Sequence, residues 1–207
     1  MDLPRTPLSP HAEPQTAGGA GTRDRIRDAA LALFLRDGFR ATSVRQIATA
    51  AATTHTTLYK YFKSKEAIAL SLLEEIAPTI RAFHARVPGI IKDRAGFDQW
   101  FDDYSAFWLQ HYPIYHAFWE AALANRHLSD WVMERSRIVL SDTWAQSDPA
   151  LILTDGQREK LLLWAMSLDN LLSLVRMTDA EGQNEIILVN LREMLSASFD
   201  RIFQTAA

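Results

Sequence analysis

The sequence predicts an all-α protein, a three-helix N-terminal head followed by a larger helical body. Three observations carry this prediction. Apolar residues recur at three- and four-residue spacing in segment after segment. Residues 42 to 65 hold two short helical segments around a tight turn, and two long apolar segments close the chain.

Composition narrows the classes further. With 207 residues and 48% hydrophobic side chains the chain has ample material for a core. It has no run of 18 apolar residues and no apolar signal core at the N-terminus, which argues against a membrane span or secretion. Zero cysteines exclude disulfides, thiolate zinc sites and thiol nucleophiles, and agree with a cytoplasmic location. The net charge of -3 is unevenly spread: residues 22–66 hold nine Lys and Arg against four acids, whereas 67–207 hold 12 against 19. A basic head on an acidic body suits an anionic partner bound at one end.

Residues 1–21, with Pro4, Pro7, Pro10 and Pro14 followed by Gly18, Gly19 and Gly21, are expected to form a disordered tail. Arg5 and Arg23 could reach a minor groove from there, but a plain leader is the better reading. A helix is expected from Thr22, with Ile26, Ala30, Leu33 and Phe34 on one face. It should stop at Gly38 in a left-handed conformation, with Phe39 folding back.

The next two segments form a helix-turn-helix. Ser43 to Ala50 puts Val44, Ile47 and Ala48 on one face, and the following segment carries Leu58 and Phe62. Thr42 and Thr54 precede the segments as expected N-caps, and Ser64 offers another before Glu66. The second segment turns His55, Thr56, Tyr59 and Lys60 outward, with Thr57 and Tyr61 at its flanks. All can donate hydrogen bonds and none is acidic, which suits a phosphate backbone and the acceptors of a major groove. An ordinary solvated helix is the competing reading.

The run from Ile26 to Ile76 resembles the N-terminal DNA-binding domain of TetR-like (tetracycline-repressor-like) transcriptional regulators. The resemblance rests on Ala29-Ala30, Phe34, Gly38-Phe39, Thr42-Ser43-Val44, Ile47-Ala48, Thr57-Leu58-Tyr59, Tyr61-Phe62 and Ser64-Lys65-Glu66. It implies that Thr42, Thr57, Tyr59, Tyr61 and Lys65 hold phosphates while His55, Thr56 and Lys60 read bases. The chain departs from the family at Ala52, where glycine is usual, and at Thr56. A positive φ at Ala52 would cost roughly 1 kcal/mol and could reshape the turn.

The body, 67–207, begins within a helix running from 65 to about 86, in which Pro78 marks either a flex point or, preferably, a boundary. Pro88-Gly89 reads as a loop. Ten of the 21 aromatic residues lie between Phe97 and Trp119, with Phe97, Phe101, Tyr104 and Trp108 on one helical face and Pro113 opening a new helix. Such a stripe is more often core than cofactor box. By the resemblance, Trp100, Tyr104, Phe107, Trp108, Tyr112, Tyr115, His116 and Trp119 are candidates to line an effector pocket.

His111, His116 and Glu120 raise the question of a metal, with Asp102, Asp103 or His127 as a further ligand. An ion pair or a satisfied polar edge is favoured, so neither metal nor cofactor is expected. Nothing has the arrangement of a catalytic site, and no enzymatic activity is expected. Beyond a helix from about 127 to 145, Thr154 and Gln157 form a capping box opening a helix to about 178, and 181–203 form the last. Their surplus apolar faces suggest a homodimer through these two helices. The sequence thus reads as a repressor that leaves a palindromic double-stranded operator when a small-molecule effector binds. The alternative is a helical ligand-binding or scaffold protein whose head no longer binds DNA.

Overall fold

A computed structural model describes residues 17–90, 93–147, 152–177 and 184–204. Among these the chain forms α1 (Ala17–Asp37), α2 (Val44–Ala50), α3 (His55–Tyr61), α4 (Lys65–Ala85), α5 (Val87–Ile90), α6 (Arg94–Gln110), α7 (Tyr112–Ala124), α8 (Arg126–Ser147), α9 (Asp155–Met177) and α10 (Asn184–Gln204), with no strand. The all-α expectation holds. The chain divides into two compact units, Met1–Glu75 with Pro113–Val132, and Ile76–Tyr112 with Met133–Ala207.

The first unit is built on the apolar faces of α1 to α4. Ile26, Ala30, Leu33 and Phe34 of α1 meet Ile47 and Ala48 of α2, Leu58 of α3 and Ile68 of α4 in one buried cluster. The cluster also takes in Ala117, Phe118, Ala121 and Ala122 of α7 with Leu128 and Val132 of α8. Helix spacing found the apolar faces, but it carried no sign that 113–132 pack with the head, because that contact joins segments far apart in the chain.

Local chemistry fixes the helix ends. The N–H of Gly38, at φ 84°, donates to Phe34 O at 2.9 Å, and the Phe34 and Phe39 rings lie 5.0 Å apart, the expected left-handed stop. Ser43, rather than Thr42, caps α2, in a capping box with Gln46. Thr54 caps α3 through the Thr57 N–H at 3.0 Å, and Ser64 caps α4 through the Ala67 N–H at 3.2 Å.

In the second unit, three indoles tie helices together. Trp100 of α6 and Trp144 of α8 donate to the carbonyls of Phe83 (2.9 Å) and His84 (3.0 Å) in the last turn of α4, where Phe83 O also accepts from the Arg86 N–H at 3.1 Å. Trp164 of α9 donates to Leu195 O of α10 at 3.0 Å. Phe97, Trp100, Phe101, Tyr104 and Trp108 are all buried, so the aromatic stripe of α6 is core. The capping box at Thr154 and Gln157 opens α9.

Three expectations are corrected. α1 begins at Ala17, so Gly18, Gly19 and Gly21 are helical; the remainder of the expected tail, residues 1–16, lies outside the described residues. α4 continues through Pro78, where an exposed position tolerates the lost donor, and does not end there. Pro88 and Gly89 sit in the short helix α5 rather than in a loop.

Candidate nucleic-acid interface

The candidate interface is the exposed side of α3 and the turn before it. Leu58 is fully buried and anchors the helix, while His55, Thr56, Tyr59, Lys60 and Tyr61 are exposed. His55 and Tyr59, one turn apart, meet edge to face at 4.7 Å. The Thr54 hydroxyl accepts from the Thr57 N–H and donates to Thr57 Oγ1 at 2.9 Å, which leaves the Thr57 proton to point outward. Within α3 and its cap the side chains present donors and no carboxylate.

The turn is closed in the Schellman pattern: the Thr53 N–H donates to Ala48 O at 2.9 Å and the Ala52 N–H to Thr49 O at 3.1 Å. Ala52 stands in its left-handed position at φ 49°, where glycine would be unstrained. The positive φ whose cost the sequence raised is present, and both hydrogen bonds form in spite of it. Arg25 of α1 donates to Ala51 O at 3.4 Å from beneath.

Two residues expected at phosphates are turned inward. Thr42 is 1% exposed, and its hydroxyl donates to Gly38 O at 2.9 Å. The Lys65 ammonium reaches Phe39 O at 2.7 Å, Thr42 O at 3.0 Å and Arg40 O at 3.4 Å, and lies 4.4 Å from the Phe39 ring centroid. Burial lowers its pKa. Glu120 of α7 completes the arrangement by accepting from the Phe39 N–H at 2.7 Å. The loop before the helix-turn-helix is thus held on its carbonyls by an ammonium and on an N–H by a carboxylate. Sequence spacing offered Ser43 and Gln46 as a capping box, which went unread; nothing in it pointed to the bond of Glu120.

The metal alternative loses a ligand to that bond. His111 is engaged at Nδ1 with Phe107 O, 2.8 Å away, Asp103 pairs with Arg86 and Gln99, and Asp102 pairs with Arg192. Among the described residues no group of three or more His, Asp or Glu is placed to hold an ion.

The eight pocket candidates do not gather in one unit. Trp100, Tyr104, Phe107, Trp108 and Tyr112 belong to the second unit, Tyr115, His116 and Trp119 to the first. A groove of about 320 Å³ between α8 and α9, lined by Arg137, Ile138, Trp144, Arg158, Glu159 and Leu162 among others, includes none of the eight.

Comparison with known proteins bears on the head directly. Residues 26–72 match the family described as bacterial regulatory proteins, tetR family. The likeness is confined to the N-terminal head, which resembles the DNA-binding domain of that family. The head region is 41% identical over 69 residues to the HTH-type transcriptional repressor KstR2 of Rhodococcus jostii and 36% identical over 66 residues to the HTH-type transcriptional repressor NicS of Pseudomonas putida. Those matches cover 33% and 32% of this chain, and about a third of each relative (32% and 31%).

Solved structures extend the likeness to the fold of the chain as a whole. A Mesorhizobium loti protein assigned to the family has a TM-score of 0.58 at 18% identity, covering 92% of this chain and 98% of its own. A TetR-family regulator from Streptomyces coelicolor has a TM-score of 0.52 at 23% identity, covering 87% of this chain and 99% of its own. These identities speak for shared architecture only.

Proposed function

We propose that the protein is a DNA-binding transcriptional repressor that uses α3 as its recognition helix. The observation that carries this reading is the face of α3, exposed, rich in donors and free of acids, on a head homologous to those of two repressors. His55, Thr56 and Lys60 read base edges, and Thr57, Tyr59 and Tyr61 hold phosphates. Thr42 and Lys65 serve the same interface from behind by fixing the loop that launches α2.

The functional unit is a homodimer through α9 and α10. Support comes from apolar side chains left open there, with Leu163 58%, Ile186 66% and Met194 53% exposed. Two heads about one helical turn of DNA (~34 Å) apart would read a palindromic operator. A small-molecule effector bound by the body releases it, through unequal affinity for two conformations. On this division 22–66 reads DNA, while 67–207 senses the effector and dimerises.

Selection of bound fragments from random DNA tests the reading. Recovery of a palindrome bound by the wild type and lost in Tyr59→Ala is the expected result. No enrichment at low salt would instead make the protein a helical ligand-binding or scaffold protein with a silent head.

A further inference from the structure

We propose that the Tyr104–Asp169 pair is where the body recognises a small organic cation, an ammonium group carried on an apolar frame. The inference rests on the effector reading above and gives that effector a chemical class.

The pair sits where α6 meets α9. Tyr104 is fully buried and its phenol donates to Asp169 Oδ1 at 2.6 Å. Trp100 stacks on the Tyr104 ring at 5.2 Å with the planes 4° apart, Phe83 meets it edge-on at 5.2 Å, and the His84 ring lies 5.9 Å away. A carboxylate in such company needs a compensating charge. None is supplied: Asp169 forms no ion pair among the described residues, and burial pushes its carboxyl up to about 7, opposed only by the Tyr104 hydrogen bond. His84, the titratable group that α4 brings near Tyr104, is pushed down by burial to about 4, so it is neutral at physiological pH.

The second carboxyl oxygen makes this a site rather than a core hydrogen bond. Oδ2 of Asp169 bonds to none of the described residues. Asp169 is also only half-buried, and Oδ2 is not among the sealed polar atoms, unlike His84 Nδ1 and Ser105 Oγ. A ligand atom can therefore approach Oδ2. Because the Tyr104 proton is spent on Oδ1 and His84 Nδ1 has no partner, the visitor must bring donors. An ammonium does so, supplies the missing charge, and gains from adjacent aromatic faces. A carboxylic acid would meet Asp169 as a like charge.

The test uses the full-length protein and a size-graded series of arylalkylammonium ions, each with its neutral alcohol and its carboxylate counterpart, titrated by tryptophan fluorescence. At least one ammonium should bind saturably and about tenfold or more tighter than its alcohol, with its carboxylate weaker still. Asp169→Asn should erase that preference while leaving helix content and oligomer mass unchanged, and Tyr104→Phe should weaken it severalfold. Affinity should fall as pH drops below about 7, because protonation of Asp169 removes the charge being recognised.

No preference for the ammonium in any trio, or a preference that survives Asp169→Asn, overturns the proposal. If an uncharged or acidic molecule dissociates the protein from its operator while no ammonium binds, the effector reading stands and the cation assignment falls. If an ammonium binds with full dependence on Asp169 but leaves operator affinity unchanged, the site stands and its effector role falls.

Discussion

Ala52 is the residue whose chemistry disagrees most with its backbone. An alanine at φ 49° carries strain of about 1 kcal/mol that glycine would not. Ala52→Gly should therefore raise the thermal midpoint, with the gain reduced by the looser unfolded chain. A lower midpoint would show that the methyl group contributes packing. Lys65 makes a second residue-level case. With its three donors directed at backbone carbonyls, Lys65→Ala should cost stability, on the order of 1–3 kcal/mol, and leave the salt slope of DNA binding unchanged. A slope shallower by about one unit would instead place the ammonium at a phosphate. The sequence singled out Lys65 and Thr42, but the bonds that hold them to backbone carbonyls were not legible there, since a family position does not record which way a side chain points in a given chain.

Among the elements, α3 gives the sharpest contrast between substitutions. Tyr59→Ala should weaken binding to all DNA sequences, whereas Lys60→Ala or His55→Ala should change which operator is preferred, as read by parallel selections. Loss of all binding in Lys60→Ala with the fold intact would move that residue to the backbone-holding set. For α9 and α10, acidic substitutions at Leu163 and Met194 should yield monomers by sedimentation or mass photometry. An unchanged oligomer mass would count against this interface. Leu172 is fully buried within its own unit, so an acidic substitution there would disrupt the fold and report nothing about the partner. Helix existence and capping were legible because they depend on neighbours three and four residues apart. Which turn of α9 faces inward was not, because α9 is apolar on several sides and only packing against α6 and α10 decides.

At the scale of the whole molecule, charge and pH behave as sums over local choices. The chain is acidic overall, yet its head carries a clear excess of cations, so DNA affinity should fall steeply with salt despite the net charge of -3. Stability should also depend on Asp169. Its folded pKa, raised to about 7 from an ordinary 3.8, means that it costs nothing below about pH 4 and progressively more as pH rises towards 7. Asp169→Asn should therefore raise the thermal midpoint above pH 7, with the gain vanishing near pH 4. His84, lowered to about 4, works in the opposite sense: its contribution is complete above 6.5 and is lost as pH falls through 4. A midpoint difference for Asp169→Asn that does not vary with pH would mean the carboxyl is not desolvated as described. Neither group was visible in the sequence, where an Asp and a His in amphipathic helices look like solvated residues.

The inclusion of Pro113–Val132 in the first unit has a consequence for anyone who wishes to reuse this head. Modular engineering of sensors commonly treats a DNA reader as a cassette that ends where its sequence homology ends. Here a cassette cut after residue 75 would leave behind Ala117, Phe118, Ala121, Ala122, Leu128 and Val132, which close its apolar cluster, and Glu120, which holds Phe39. A transplant that joins residues 17–75 to a foreign body should be poorly folded, while one that grafts 113–132 along with them should keep its reading helix in register. The portable part of this protein is discontinuous in sequence.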